Sequence, residues 1–130
     1  MPKYINDSIR KSIDEITDMY VKLAENDDVL SDGTIYIAPS EKHIKLEDNK
    51  KIVLFDSKKV NYAKPSIDVF MESLKKEKDT KITGIILSGV GFDGAEGIRH
   101  IKKIDGKTFV QKVKGAETLK SMGESAIKTG

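Results

Sequence analysis

The sequence contains no cysteine, and this absence excludes several kinds of protein. Without thiols the chain has no disulfide framework, no thiolate metal site and no cysteine nucleophile, and it suits a reducing compartment. Long apolar runs are also absent. None approaches the ~20 residues that a membrane-spanning helix needs, and the N-terminal residues lack the apolar region of a signal peptide. We therefore expect a cytoplasmic protein without membrane insertion.

The sequence also lacks a strong excess of charge of one sign. Its 23 basic and 21 acidic side chains leave a formal net charge of +2. The lysines are scattered and form no dense basic block, which argues against nucleic acid or an anionic membrane as a partner. Hydrophobic residues make up 38% and charged residues 34% of the chain, as in ordinary globular proteins. We assign residues 1–130 to a single domain, because this length supports one modest core.

Hydrophobic periodicity predicts helices and strands that alternate along most of the chain. The predicted helices are residues 6–18, 65–78, 95–104 and 116–128. The predicted strands are residues 20–24, 34–38, 82–87 and 107–110, together with a hairpin formed by residues 43–46 and 52–55. The apolar run 82–87 is typical of a strand buried on both faces. This order predicts an α/β fold of three layers, in which helices flank a mostly parallel sheet with an antiparallel hairpin.

The run Gly89-Val90-Gly91-Phe92-Asp93-Gly94 fits the pattern GxGxxG between a predicted strand and a predicted helix. A dinucleotide-binding loop has this pattern in this place. However, the Asp93 carboxylate would repel a pyrophosphate at the helix N-terminus. The acidic residue that would bind a ribose ~20 positions further on is also missing, because residues 107–114 contain no carboxylate. A nucleotide-binding module is therefore the least supported interpretation.

Two other interpretations of Asp93 remain open on the residues alone. The carboxylate can cap the helix that follows, while the glycines form a tight turn. It can also be a catalytic group at the carboxyl end of a buried strand, where it accepts a hydrogen bond from a histidine ring and fixes its tautomer. The two are compatible, since a capped carboxylate is held rigidly. The catalytic interpretation requires space for an imidazole ring beside the carboxylate.

Three motifs, taken together, carry a resemblance to a known family. They are GTIYIAPSEKH at residues 33–43, KPSIDVF at residues 64–70 and IILSGVGFDGAEG at residues 85–97. In order and spacing they resemble the catalytic domain of the CheB-type chemotaxis methylesterases, and the resemblance extends from Gly33 to about Gln111. It implies a serine-histidine-aspartate hydrolase on an α/β fold. Such an enzyme removes methyl groups from glutamyl esters on the cytoplasmic helices of chemoreceptors and also deamidates glutamine.

The resemblance places the orienting aspartate of the catalytic triad at Asp93, in an active-site loop with Gly89, Val90, Gly91 and Gly94. Val90 stands where the family usually has methionine. The family serine, in a small-residue loop after the first strand, has no counterpart here. The family histidine directly precedes a Met-Pro pair, and this sequence begins with that pair.

We therefore expect a truncated methylesterase domain that lacks the N-terminal strand of the family fold and is nearly inactive alone. Exposed sheet edges would favour self-association. The alternative is a catalytically inactive remnant that binds receptors or other proteins. We predict no cofactor and no metal, because His43 and His100 have no ligand partners at metal-binding spacing. His43 is expected to shape a loop, His100 to lie on the surface, and Ser66 and Ser88 to form hydrogen bonds rather than act as nucleophiles.

Overall fold

The structure, a computed structural model, describes residues 3–89, 91–112, 122 and 124–128. Its helices are α1 (Lys3–Asp14), α2 (Ile67–Glu72) and α3 (Ala95–Lys103). Its strands are β1 (Tyr20–Leu23), β2 (Thr34–Ile37), β3 (His43–Glu47), β4 (Lys51–Phe55), β5 (Thr83–Ile86) and β6 (Lys107–Val110). The predicted order of helices and strands is confirmed as far as Val110. Most of the predicted helix at residues 116–128 lies outside the described residues. Of the residues described there, 122 and 124–127 are helical.

The strands pair as the predicted fold class requires. Strands β1 and β2 are parallel, as are β5 and β6, whereas β3 and β4 form the predicted antiparallel hairpin. In the hairpin turn, Asp48 and Asn49 have positive φ angles, which these two residue types tolerate better than most. The α/β class is therefore confirmed. Within the described residues, however, hydrogen bonding divides the strands into three pairs instead of joining them in one sheet.

The core lies where α2 and α3 pack against each other and against the hairpin and β5. Ile98 and Ile101 are three residues apart on α3, so they share the inward face and are almost fully buried. They belong to one apolar cluster with Ile52 of β4 and Ile86 of β5. This packing places the start of α3 beside the start of α2, where the candidate site lies.

Helix α2 is shorter than the sequence pattern predicts. It begins after Ser66, whose hydroxyl accepts a hydrogen bond from the Val69 amide, and it ends at Glu72. The hydroxyl of Ser73 donates to the Phe70 carbonyl at 2.5 Å and accepts from the Leu46 amide at 3.0 Å. A serine bonded back to the preceding turn competes with continuation of a helix. The lysines at positions 75, 76 and 78 therefore lie beyond the helix.

Strand β5 is not buried on both faces, so that prediction is wrong. Gly84 and Ile86 point inward, but Ile85 and Leu87 are 57% and 63% exposed. Phe109 of β6 pairs with Ile85 in register and is 57% exposed. We call these three side chains, Ile85, Leu87 and Phe109, the β5–β6 outer face. The apolar residues at 82–87 led to the prediction of a strand buried on both faces. Hydrophobic periodicity does not show whether a second layer covers the outer face of a strand.

Candidate active site

The predicted site loop connects β5 to α3, and two of its glycines have backbone conformations that favour glycine. Gly91 and Gly94 have φ angles of 99° and 104°. A Cβ atom on Gly94 would lie 2.7 Å from Cδ1 of Ile86, so a side chain there would also collide with the core. Gly89 lies beside Met122, and Val90 lies outside the described residues. The glycines thus allow a sharp turn that brings Asp93 towards α2.

The Asp93 carboxylate binds the N-terminus of α2. Its Oδ2 accepts a hydrogen bond from the Ile67 amide at 2.7 Å. Its Oδ1 accepts from the Asp68 amide at 3.2 Å and from the Ser66 hydroxyl at 2.8 Å. The residue is only 6% exposed. Because the first amides of a helix lack partners within the helix, Asp93 satisfies donors that would otherwise be buried without acceptors.

The prediction that Asp93 caps the helix following it is therefore wrong. The N-cap of α3 is Gly94, which offers no side-chain hydrogen bond. Instead, Oδ1 of Asp68, in the first turn of α2, accepts from the Gly94 amide at 3.0 Å and from the Gly97 amide at 2.7 Å. The start of α2 thus binds Asp93, in the loop before α3, and the start of α3 binds Asp68 of α2. The amides that a pyrophosphate would need are already bound to Asp68, which opposes the dinucleotide interpretation.

Asn61 connects the two carboxylates. Its Nδ2 donates to Asp68 Oδ2 at 2.5 Å and to Asp93 Oδ1 at 3.4 Å. Burial raises the pKa of the Asp68 carboxyl, the hydrogen bond from Gly97 lowers it, and the charge of Asp93 raises it, with a net upward shift. We call Asn61, Asp68, Asp93, Gly94 and Gly97 the α2–α3 junction.

Neither Asn61 nor Asp68 was among the site residues predicted from the sequence. The available signal for Asp68 was its position three residues before Met71, which places a carboxylate on the apolar face of the predicted helix. Asn61 has no comparable signal, since it lies in the irregular segment after β4. Its side chain acts through contacts with residues that follow it by 7 and 32 positions.

A histidine, a serine and an aspartate cluster in the structure, but their hydrogen bonds are not those of a catalytic triad. His43 is completely buried, its Nδ1 accepts from the main-chain amide of Ser66 at 3.2 Å, and its Nε2 donates to the Lys58 carbonyl at 2.7 Å. The Ser66 hydroxyl donates to Asp93 instead of to the ring. In a triad the histidine stands between serine and aspartate and takes the serine proton. Here His43 joins two loop segments through main-chain groups, and the Ser66 hydroxyl is bound to Asp93.

The other predicted candidates also form structural hydrogen bonds. His100 is half-buried, and its Nε2 donates to the Leu74 carbonyl at 2.6 Å, which links α3 to the segment after α2. The amide of Ser88 donates to Oε1 of Gln111 at 2.9 Å. Among the described residues, no group of three or more metal-binding side chains lies close enough to hold an ion. In the same part of the chain, no helix combines the length and apolar character needed to cross a bilayer.

An apolar cavity of about 400 Å³ borders the junction without containing its carboxylates. Side chains of the hairpin, β2 and α2 form its wall, and Ser66 and Ile67 separate it from Asp93. On the solvent side, Tyr62 and Phe92 make an edge-to-face contact with ring centroids 6.4 Å apart, and both rings are exposed. Tyr62 directly follows Asn61, and Phe92 directly precedes Asp93. The two rings therefore lie at the surface next to the carboxylates.

Comparison with known proteins assigns the family. The family model described as CheB methylesterase matches residues 1–130. This chain belongs to the CheB methylesterase family. The crystal structure of the CheB methylesterase catalytic domain from Thermotoga maritima superposes with a TM-score of 0.83 at 26% identity, covering 98% of this chain and 69% of that one. The resemblance carried by the three sequence motifs is therefore confirmed.

Relatives in the CheB family are longer than this chain. A protein-glutamate methylesterase/protein-glutamine glutaminase from Pyrococcus horikoshii is 32% identical over 133 aligned positions, which cover 100% of this chain and 36% of that protein. A relative from Leptospira interrogans is 33% identical over 115 positions, covering 88% of this chain and 59% of the relative. The chain thus spans less than two thirds of the length of either relative.

Proposed function

We propose that this chain supplies the acidic part of a protein-glutamate methylesterase/protein-glutamine glutaminase site, in which Asp93 orients the catalytic histidine. One observation carries the proposal: a rigid, nearly buried carboxylate lies in the loop after β5 of a CheB-family domain. The substrates would be glutamyl methyl esters and glutamines on the cytoplasmic helices of chemoreceptors. The names of the sequence relatives support this reaction class.

The proposed chemistry is acyl transfer to serine followed by hydrolysis. The serine oxygen attacks the ester carbonyl while the histidine takes the serine proton, and the histidine then passes this proton to the departing methanol. Water cleaves the glutamyl-enzyme by the reverse proton transfers, which leaves a free glutamate carboxylate and restores the serine. For a glutamine substrate, ammonia departs instead of methanol. Asp93 holds the histidine tautomer and stabilises the imidazolium.

The hydrogen bonds of Asp93 are compatible with this role. Among the described residues, Oδ1 accepts from Asn61, Ser66 and Asp68, whereas Oδ2 accepts only from the Ile67 amide. We therefore propose Oδ2 as the acceptor for the imidazole N–H, since a carboxylate oxygen has more than one lone pair. The donors on Oδ1 hold the carboxylate in place, so it need not reorganise when the imidazolium forms.

We propose further that the nucleophile and the general base come from outside these 130 residues. His43 has both ring nitrogens bound to main-chain groups, and the Ser66 hydroxyl is bound to Asp93. His43 could not take a proton, and Ser66 could not attack a substrate, without breaking these hydrogen bonds. The chain alone would then be close to inactive, since loss of the serine or histidine of a triad costs on the order of 10⁶ in turnover.

Two surfaces are proposed to bind partners. The exposed rings of Tyr62 and Phe92 would contact the receptor helix, because aromatic side chains beside a site dominate many interfaces. The β5–β6 outer face would pack against a second copy of the chain, since it is apolar and a net charge of +2 produces little repulsion between copies.

The test uses methanol release from a methylated receptor fragment. The chain would be assayed alone and as a fusion with the part of the Thermotoga maritima domain that lies outside the structural alignment. We expect release by the fusion and not by the chain, and Asp93→Asn in the fusion should lower kcat on the order of 10⁴-fold. The matched control is Glu96→Gln, an exposed carboxylate three residues away, which should leave kcat unchanged.

Each other outcome would count against part of the proposal. A folded fusion that binds the receptor fragment without hydrolysis supports an inactive binding remnant. Hydrolysis by the 130-residue chain alone would show that it contains an unidentified nucleophile. A fusion whose kcat is unaffected by Asp93→Asn would remove the orienting role from Asp93.

A further inference from the structure

We propose that Asp68 is a positioning residue that fixes the loop carrying Asp93. Its catalytic consequence rests on the proposed role of Asp93, but its structural content stands on the geometry of the junction. The Asp68 carboxylate accepts hydrogen bonds from the main-chain amides of Gly94, which directly follows Asp93, and of Gly97 in α3. Asp68 therefore acts on Asp93 through the backbone.

The capping of the two helices is reciprocal, which couples their positions. Asp93 accepts from the amides of Ile67 and Asp68, while Asp68 accepts from the amides of Gly94 and Gly97. Both carboxylates are nearly buried, at 6% and 3% exposure. A shift of either helix along its axis would lengthen the hydrogen bonds that Asp93 accepts from α2 and those that Asp68 accepts from Gly94 and Gly97. The carboxylate proposed to orient the histidine is therefore held by α2 and α3 together.

The start of α3 depends on Asp68 for its acceptor. Gly94 is the N-cap residue but has no side chain to accept a hydrogen bond, and its φ of 104° disfavours any replacement. Asp68 reaches the Gly97 amide because Gly97 has no side chain. A Cβ atom there would lie 2.7 Å from Cβ of Met71 and 3.2 Å from Oδ1 of Asp68. The two glycines and the carboxylate form one arrangement.

Asn61 offsets the electrostatic repulsion between the carboxyl groups of Asp68 and Asp93. Its Nδ2 donates to both carboxylates, and their other donors among the described residues are main-chain amides and the Ser66 hydroxyl. The ion pairs within the described residues all involve other carboxylates. Within the described residues, the pair is thus stabilised by fixed dipoles. Fixed dipoles are directional, so they set the orientation of each carboxylate as well as its charge.

The first experiment measures hydrogen exchange of single amides in the 130-residue chain by NMR. In Asp68→Ala, the Gly94 and Gly97 amides lose their acceptor, and we expect their exchange to accelerate about tenfold or more. Asp68→Asn retains a carbonyl oxygen as acceptor but loses the charge that strengthens these hydrogen bonds, so it should restore only part of the protection. Glu96→Gln is the control and should change neither amide. Unchanged protection in Asp68→Ala would overturn the inference, and if that variant does not fold, unchanged shifts and protection in Asp68→Asn would do so.

The second experiment measures kinetics in the active fusion described above. Asp68→Asn should lower kcat about tenfold with KM unchanged, because a loosened loop impairs transition-state interactions and leaves substrate contacts intact. Tyr62→Ala should instead raise KM. An Asp68→Asn fusion with the parent kcat would overturn the positioning role. If the parent fusion itself is inactive, the proposed function fails, while the exchange experiment still decides whether Asp68 fixes the loop.

Discussion

The two ends of the loop between β5 and α3 lie in different environments. At the end next to α3, Asp93 and Gly94 are buried, and α2 supplies hydrogen-bond partners for both. At the end next to β5, Leu87 and its neighbour Ile85 expose most of their apolar surface. One loop therefore joins a polar cluster that is satisfied within the chain to an apolar face that is not covered. Residues of α2 and its N-cap thus supply hydrogen bonds to the Asp93 carboxylate, whereas the side chains of the β5–β6 outer face remain exposed.

The two environments differ because a few residues can complete a set of hydrogen bonds, whereas burial of an apolar face requires a large covering surface. Hydrogen bonds at the junction connect short side chains to nearby main-chain groups, so a few residues complete the arrangement. An apolar sheet face needs a whole second layer to bury it. We expect substitutions at the junction to change the stability of the chain and substitutions on the β5–β6 outer face to change its association.

Asp93→Ala should have the largest effect on stability. The change leaves the Ile67 and Asp68 amides and the Ser66 hydroxyl buried without their acceptor, and each such group costs about 1–3 kcal/mol. We expect the free energy of unfolding in urea to fall by about 3 kcal/mol. Glu96→Ala, which removes an exposed carboxylate from the first turn of α3, should change it by about 0.5 kcal/mol or less. Equal losses for the two variants would show that the junction is no more important than the surface.

Gly97→Ala should have the next largest effect. Its added methyl group would lie 2.7 Å from Cβ of Met71, so α2 and α3 must separate, and overpacking of this kind costs about 1–3 kcal/mol. Alanine has the higher helix propensity, which would otherwise stabilise α3. A fall in the free energy of unfolding would therefore reveal the close packing at the junction. A gain in stability would contradict the close approach of the two helices.

The pH dependence of stability should report on Asp68. Since burial and the Asp93 charge raise the pKa of Asp68 in the folded protein above its usual 3.8, the unfolded chain ionises this group at lower pH. The contribution of the protonated Asp68 carboxyl to the free energy of unfolding is fully present below pH 3.8. It is lost as the pH rises through the pKa of Asp68 in the folded protein. From about pH 3 to about pH 7, the free energy of unfolding of the parent should therefore fall relative to that of Asp68→Asn. Urea titrations across this range measure the difference, and a relative rise would contradict the predicted sign.

Charges on the β5–β6 outer face should have the smallest effect on the stability of the single chain. Ile85→Lys and Phe109→Lys place a charge at exposed positions, so the free energy of unfolding should change by about 0.5 kcal/mol or less. Sedimentation of the parent should show self-association that both variants abolish. Ser12→Lys, at an exposed position of α1, is the control for added charge away from this face. A parent that remains monomeric at high concentration would refute the proposed pairing of copies.

Much of the fold was predictable because it follows local patterns. Alternation of apolar residues located the hairpin at residues 43–55, and the parallel strands β5 and β6 lay where the apolar runs indicated. The length of α2 was not predictable from periodicity, since Ser73 ends it through a bond to Phe70 and another to Leu46. The exposure of Ile85 was missed because the residues that would cover a strand are distant in sequence.

For the candidate site, local signals identified the loop and Asp93 but not the partners of Asp93. The glycines flanking Asp93 are a pattern of neighbouring residues, and their positive φ angles agree with the predicted turn. Asp93 binds residues 25–27 positions earlier in the chain, and Asp68 binds amides 26 and 29 positions later. Such pairs form only when α2 and α3 pack side by side. Short-range periodicity was therefore enough to establish the elements and the acidic loop, whereas packing selected which helix each carboxylate caps, because hydrogen bonds depend on distances that the chain acquires only on folding.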